Sequence, residues 1–278
     1  MPSLLTRAQY GEALGTAGTV VRAQAGTTSL STPVPTCPGW TMRDLVVHLG
    51  VVYRWASAIV EGQSLEAAAA VRDAAEQEGR SAPDLIDWLD DALVIVLNTL
   101  ATAPEDLDVF FFLKNTPDKR LGWTRRQAHE AAIHAVDAMA AKLGTVPTRA
   151  QLWLKPDFAA DGIDELIMGF APRSKQALRA ETPFTLEVRC TDHPSAWSID
   201  IGPGPAVSSM IAGSPDRSAS AMSAGDPANP AKPAPDAVIS GRAVDLYLAL
   251  WNRGSAGVTC EGSIDALGLW NRSMIITF

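Results

Sequence analysis

Glu130 and His134 stand four residues apart within W-T-R-R-Q-A-H-E-A-A-I-H-A-V-D, residues 123–137. On an α-helix that spacing puts both side chains on one face, with Cβ atoms about 5–6 Å apart. A neutral imidazole and a carboxylate are competent ligands for Zn²⁺ or another divalent ion. The same spacing also suits a solvated pair that only supports its helix. Two ligands do not hold an ion, so a third must come from elsewhere in the chain. His48 is the candidate. It lies in T-C-P-G-W-T-M-R-D-L-V-V-H-L, residues 36–49, beside an apolar stripe of Leu45, Leu49, Val52 and Ala56. A helix that buries this stripe turns His48 into a bundle rather than into water. Three protein ligands with one position open is the pattern of catalytic zinc, whereas a structural site is closed by a fourth ligand.

Other residues near these motifs carry weaker signals. His129 points about 100° around the helix from Glu130 and suits a supporting or surface role better than ligation. Asp137, one turn after His134, can accept an imidazole N–H, though a plain surface carboxylate fits equally. Arg125 and Arg126 are candidates for an anionic substrate group, and tandem arginines near a helix start are also commonly solvated or paired. Arg242 and Arg253 flank a helix late in the chain and are candidate catalytic residues that would close on a carboxylate. Cys37, before a proline, reads as a packed or incidental thiol, and His193, between Asp192 and Pro194, as a surface residue.

The elements that must position these groups follow from periodicity and caps. Residues 6–24 read as a first amphipathic helix, followed by a turn-rich connector to Pro38. Thr41 as N-cap with Asp44 at N3 opens a second helix to about Glu61. Residues 62–81 are alanine-rich, acidic and helical in part. Ser81 is read as the N-cap of a further helix, ended by Ala103-Pro104. Residues 105–121 form a connector with an apolar burst, Val109 to Leu113, that walls a pocket or packs over the bundle. The motif helix is expected from Thr124 to Leu143, stopping at Gly144, and one short amphipathic segment falls within 155–172.

After Pro172 the texture changes. Residues 184–190 and 196–201 alternate as half-buried strands, 237–240 and 258–262 are further strands, and 241–252 and 264–270 are helical. Residues 213–235, rich in Ser, Ala, Pro and Gly, read as a flexible insertion. The expectation is a two-domain α+β protein: a helical bundle over 1–172 carrying the metal site, and a small α+β domain over 173–278.

Totals set the outer limits. The chain has 278 residues, 47% hydrophobic and 19% charged, with a formal net charge of −8. That balance argues against a general nucleic-acid binder. No apolar run approaches the ~18 residues of a membrane span, and the N-terminus lacks the pattern of a secretory signal. Three scattered cysteines form neither a zinc ribbon nor a disulfide framework. A cytoplasmic protein without nucleic-acid or membrane partners is expected.

The two N-terminal motifs resemble the mycothiol-dependent maleylpyruvate isomerase family, within the DinB-like metal-dependent superfamily. D-F-A-A-D-G-I-D-E-L, residues 157–166, and S-G-R-A-V-D-L-Y-L-A-L-W-N-R-G, residues 240–254, resemble it too. The resemblance covers nearly the whole chain in order. It implies an up-down four-helix bundle followed by a small domain similar to sterol-carrier folds. It also implies a divalent metal, zinc by preference, held by His48, Glu130 and His134, and mycothiol as thiol cosubstrate. Arg126 then becomes a candidate for binding that cosubstrate. A free thiol has a pKa of about 8.5, so only a few per cent is thiolate at neutral pH, whereas metal coordination deprotonates it. The thiolate would serve isomerisation or S-transfer on a small electrophile, an anionic one if the arginines meet a carboxylate. Hydrolysis by a bound hydroxide and a non-catalytic binding or regulatory module are the alternatives. The insertion at 213–235 departs from the compact C-terminal domain that the resemblance implies.

Overall fold

The computed structural model describes residues 5–113, 116, 118–173, 178–212 and 234–276. The chain divides into two compact units, Met1–Leu152 and Trp153–Phe278. This division falls ahead of residue 172 because the short helix after Lys155 is tied to later elements. The Phe158 ring meets Tyr247 edge-on at 6.3 Å, and the Trp197 indole N–H donates to Asp164 at 3.0 Å.

The first unit is helical: α1 (Arg7–Ala25), α2 (Met42–Val60), α3 (Leu65–Ser81), α4 (Leu85–Thr102) and α5 (Lys119–Leu143). α1 packs on α4 and α5, and α2 packs on the same two, so these four close a ring, with α3 added on the outer side of α2. The expected four-helix bundle is present, with α3 as a fifth, largely exposed helix.

Local chemistry sets the helix starts. At α2, the Thr41 backbone N–H donates to Asp44 at 2.8 Å, and Thr41 Oγ1 accepts from the Asp44 N–H at 3.4 Å. This capping box satisfies amides that have no partner inside the helix. α4 begins later than Ser81 suggests. Ser81 completes α3, its hydroxyl donating back to the Gln77 carbonyl at 2.8 Å, and Asp84 caps α4 by accepting from Ile86 and Asp87. α5 begins earlier than Thr124, capped by Asp118, and ends at Gly144 with φ 73°, the left-handed conformation that glycine adopts without penalty. Trp88 of α4 wedges against α2 and α3, and a Cβ at Gly50 or Gly79 would collide with its ring.

The apolar burst at 109–113 forms no strand. Phe111 and Phe112 lie edge-on to Trp123, with centroids at 5.2 and 5.8 Å. Trp55 of α2 closes the cluster at 5.5 Å, and the Trp123 N–H donates to the Phe110 carbonyl at 3.0 Å. The connector therefore packs over the bundle.

The second unit is a five-stranded sheet of order β3-β2-β1-β4-β5. Its strands are β1 (Phe184–Cys190), β2 (Ser195–Ile201), β3 (Val207–Ala212), β4 (Ala237–Gly241) and β5 (Val258–Gly262). Only the β1–β4 pair is parallel. The short helix α6 (Pro156–Asp164) runs on into a π-helical turn, Glu165–Phe170, and α7 (Ala243–Leu250) and α8 (Ala266–Ser273) complete the unit. Leu186, Val188, Trp197, Ile199, Ile239, Tyr247 and Trp270 are fully buried. β3 escapes sequence reading because it exposes Val207 and Met210 on an edge and lacks clean alternation. Most of the expected insertion at 213–235 lies outside the described residues. Among those residues no helix is long and apolar enough to cross a membrane.

Candidate functional site

α5 is the central helix of its unit and is buried nearly all round, yet it carries Arg125, Arg126, His129, Glu130, His134 and Asp137 inside. Buried charge is costly unless it is paired, so these groups are expected to answer one another. The alanines on α5 admit α1 and α2 at close range and bring α2's His48 to its face.

Two imidazoles converge on one oxygen. His48 Nε2 lies 3.0 Å from Glu130 Oε1, and His134 Nε2 lies 3.3 Å from the same atom. A tetrahedral ion with bonds of about 2.0–2.1 Å separates its ligand atoms by roughly 3.3–3.4 Å. The donor set, two imidazole nitrogens and one carboxylate oxygen within 4.8 Å of one another, therefore fits a small divalent ion. Glu130 and His134 are buried, while the His48 side chain keeps 21% of its surface exposed. That is the open side.

The converging side chains are themselves held. The other oxygen of Glu130, Oε2, accepts from Arg126 Nη2 at 2.9 Å, with both side chains 1% exposed. His134 Nδ1 lies 2.8 Å from Asp137 Oδ2, and Asp137 is fully buried. This is the carboxylate–histidine arrangement that fixes a ring's tautomer and aims the opposite nitrogen at a metal. Cys37 Sγ donates to the same Asp137 oxygen at 3.3 Å. The Trp40 ring stacks on His134 with an interplanar angle of 16° and tilts over His48 at 4.9 Å. A turn positions both Cys37 and Trp40: the Trp40 N–H donates to the Cys37 carbonyl at 3.0 Å, and Gly39 supplies the required φ of 87°.

The electrostatics follow. Burial alone would push the Glu130 carboxyl up, but hydrogen bonds with His134 and His48 and the charge of Arg126 outweigh it and hold the group well below the usual range. For His134, burial opposes the charged ring, while Asp137, Cys37 and Glu130 together lift its pKa well above the ordinary value. The imidazole thus keeps a proton between Nε2 and Glu130, where a metal ion would take that proton's place. Burial, then the charge of Glu130, holds the Tyr53 phenol protonated. Its buried Oη has no hydrogen-bond partner among the described residues.

The remaining candidates separate. The charge of Arg126 is committed to Glu130 inside the bundle. His129 is fully buried and packs edge-on with Tyr10 at 6.2 Å. Arg242 and Arg253 belong to the second unit: Arg242 is exposed at the start of α7, and Arg253 Nη1 donates to the Trp251 carbonyl at 2.6 Å. His193, in the same unit, accepts from the Ser195 N–H at 3.2 Å and approaches Asp157 at 3.5 Å. Sequence reading offers neither Cys37 nor Trp40 as a site residue. A signal for them exists, since a tight turn and an aromatic ring immediately before an N-cap are held in place by the helix that carries His48.

Comparison with known proteins identifies the family and the fold. The family model described as mycothiol maleylpyruvate isomerase N-terminal domain matches residues 12–139, and the MDMPI C-terminal domain model matches residues 157–271. A crystal structure of the mycothiol-dependent maleylpyruvate isomerase superposes with a TM-score of 0.56 at 15% identity, covering 95% of this chain and 98% of that chain. A structure of a histidine-to-alanine mutant of that isomerase gives 0.59 at the same identity and coverage. At that identity the likeness is one of fold. No curated protein matches the sequence.

Proposed function

The chain belongs to the mycothiol-dependent maleylpyruvate isomerase family, and from that premise and its site we propose that it is a metal-dependent enzyme using mycothiol on a small electrophilic alkene. The observation that carries this reading is the convergence of His48 Nε2 and His134 Nε2 on Glu130 Oε1. Those three residues would hold the ion, with zinc favoured by the nitrogen-rich donor set. When bound, the ion supplies the positive charge that keeps a thiol ionised, and the thiol supplies a nucleophile that adds to a conjugated cis double bond and leaves after rotation.

The chain's own residues prepare that chemistry. The hydrogen bonds with His134 and His48 and the charge of Arg126 keep Glu130 ionised, and Arg126 holds Oε2 so that Oε1 faces the two histidines. Asp137 accepts the Nδ1–H of His134 and frees Nε2 for ligation. Trp40 covers both rings and keeps water from one side of them. The exposed edge of His48 leaves a route for cosubstrate and substrate. Isomerisation needs no further proton inventory, because thiol and substrate atoms are unchanged overall; S-transfer would instead retain the carbon–sulfur bond. The three free cysteines suit a reducing cytoplasm, where such a thiol acts.

The test is a turnover assay of zinc-loaded protein with a cis-ene dicarbonyl acid, with and without mycothiol. We expect trans product only with the thiol and no net thiol consumption. Equal rates without it would move the protein to hydrolytic or non-thiol chemistry, and a stable thioether product would make it an S-transferase.

A further inference from the structure

Cys37, His134 and Asp137 form a second convergent set, which shares His134 with the first. Asp137 Oδ2 receives two donors at once, Cys37 Sγ at 3.3 Å and His134 Nδ1 at 2.8 Å. The three ligand atoms lie within 4.8 Å of one another. Cys37 is part-exposed while His134 and Asp137 are buried, so an ion can arrive from the Cys37 side. Thiolate, imidazole and carboxylate together are a donor set for zinc and for softer divalent ions such as cadmium.

We propose that Cys37 Sγ, His134 Nδ1 and Asp137 Oδ2 form a second, thiophilic metal site, back to back with the first across the His134 ring. An ion there replaces the two protons that Asp137 Oδ2 now accepts. The protons of Cys37 Sγ and His134 Nδ1 would pass to solvent, and where the proposed first site also holds an ion, His134 would serve both ions as an imidazolate. Three negative side chains, Glu130, Asp137 and the Cys37 thiolate, and the imidazolate offset the two dications. Excess metal would therefore convert Asp137 from the acceptor that orients His134 into a ligand, which makes the second site inhibitory. This inference rests on the proposed function for the meaning of inhibition, but not for the binding itself.

The experiment is a titration of ion-stripped full-length chain with cadmium chloride. It is followed by metal stoichiometry and by the ultraviolet thiolate-to-cadmium charge-transfer band, in a Cys190→Ser/Cys260→Ser background that leaves Cys37 as the single thiol. We expect two ions bound and a thiolate band in the parent. His48→Ala should keep the band and lose one ion, and Cys37→Ser should lose the band and one ion. Protection of Cys37 from iodoacetamide by cadmium reads the same site without a variant. A parent that binds one ion with no band and no protection, or a band that survives Cys37→Ser, overturns the second site. One ion with a band that depends on Cys37 keeps the second site and instead contradicts the His48 site.

Discussion

His134 Nδ1 lies 2.8 Å from the Oδ2 of Asp137, one turn further along α5, and Asp137 has no exposed surface. The buried carboxylate therefore turns Nδ1 of His134 to itself and leaves Nε2 facing Glu130, where the proposed ion would bind. Asp137→Asn keeps the shape and weakens this control. We predict a loss of metal affinity of about 10–100-fold, measured by competition with a chromogenic chelator. Unchanged affinity would reduce Asp137 to a packing residue.

Arg126 and Glu130 make a buried ion pair, each side chain 1% exposed. Arg126→Met leaves the carboxylate in place without its cation. Breaking a buried pair from one side costs about 3–5 kcal/mol, and we predict that loss in urea denaturation of the ion-free protein. Saturating zinc should restore part of it, because the ion replaces the missing positive charge. A variant as stable as the parent would mean that the two histidines alone neutralise Glu130.

The pH dependence has two opposite signs. His134 has a folded pKa raised well above its ordinary value. Its pairing thus stabilises the ion-free protein fully below the unfolded value of about 6.5, and that contribution is lost as pH climbs through the raised folded value. Metal loading runs the other way, since the ion needs Nε2 unprotonated. Apparent affinity should rise with pH across the neutral and mildly alkaline range, with about one proton released per ion. Calorimetric titration in buffers of different ionisation enthalpy counts that proton, and a pH-independent affinity would contradict the site.

Asp44 stands at N3 and completes the capping box of the helix that carries His48. Its hydrogen bond with Thr41, aided by Arg80 and opposed by burial, brings its pKa down to about 2. A depressed folded value gives stability that is present above the unfolded value of about 3.9 and lost as pH falls through the folded one. Asp44→Asn should therefore flatten the acid limb of the stability profile between those two values. At neutral pH it should cost about 1 kcal/mol, as lost caps do, by thermal denaturation.

The sequence made the bundle legible because α2 and α5 announce themselves through a capping box, a C-terminal glycine and alanine-rich packing faces. Glu130 and His134 could be paired from spacing alone, and His48 from the stripe beside it. The start of α4 is ambiguous in the sequence because Ser81 and Asp84 are both good caps, and only the folded chain shows that Ser81 finishes α3. The role of Arg126 was hidden as well. Tandem arginines at a helix start read as solvated or substrate-facing, whereas here α5 is enclosed on all sides and the guanidinium turns to Glu130. Cys37 and Trp40 reach the site through a turn whose shape depends on Gly39, and no period in the sequence encodes that approach.

In the proposed enzyme, His48, Glu130 and His134 hold one catalytic ion. The most direct test is the metal content of purified protein by plasma mass spectrometry, for the parent and for His48→Ala and His134→Ala, each checked for native helix content by circular dichroism. We predict close to one divalent ion per chain in the parent and loss of it in both folded variants. Full metal content in both would rule out this site.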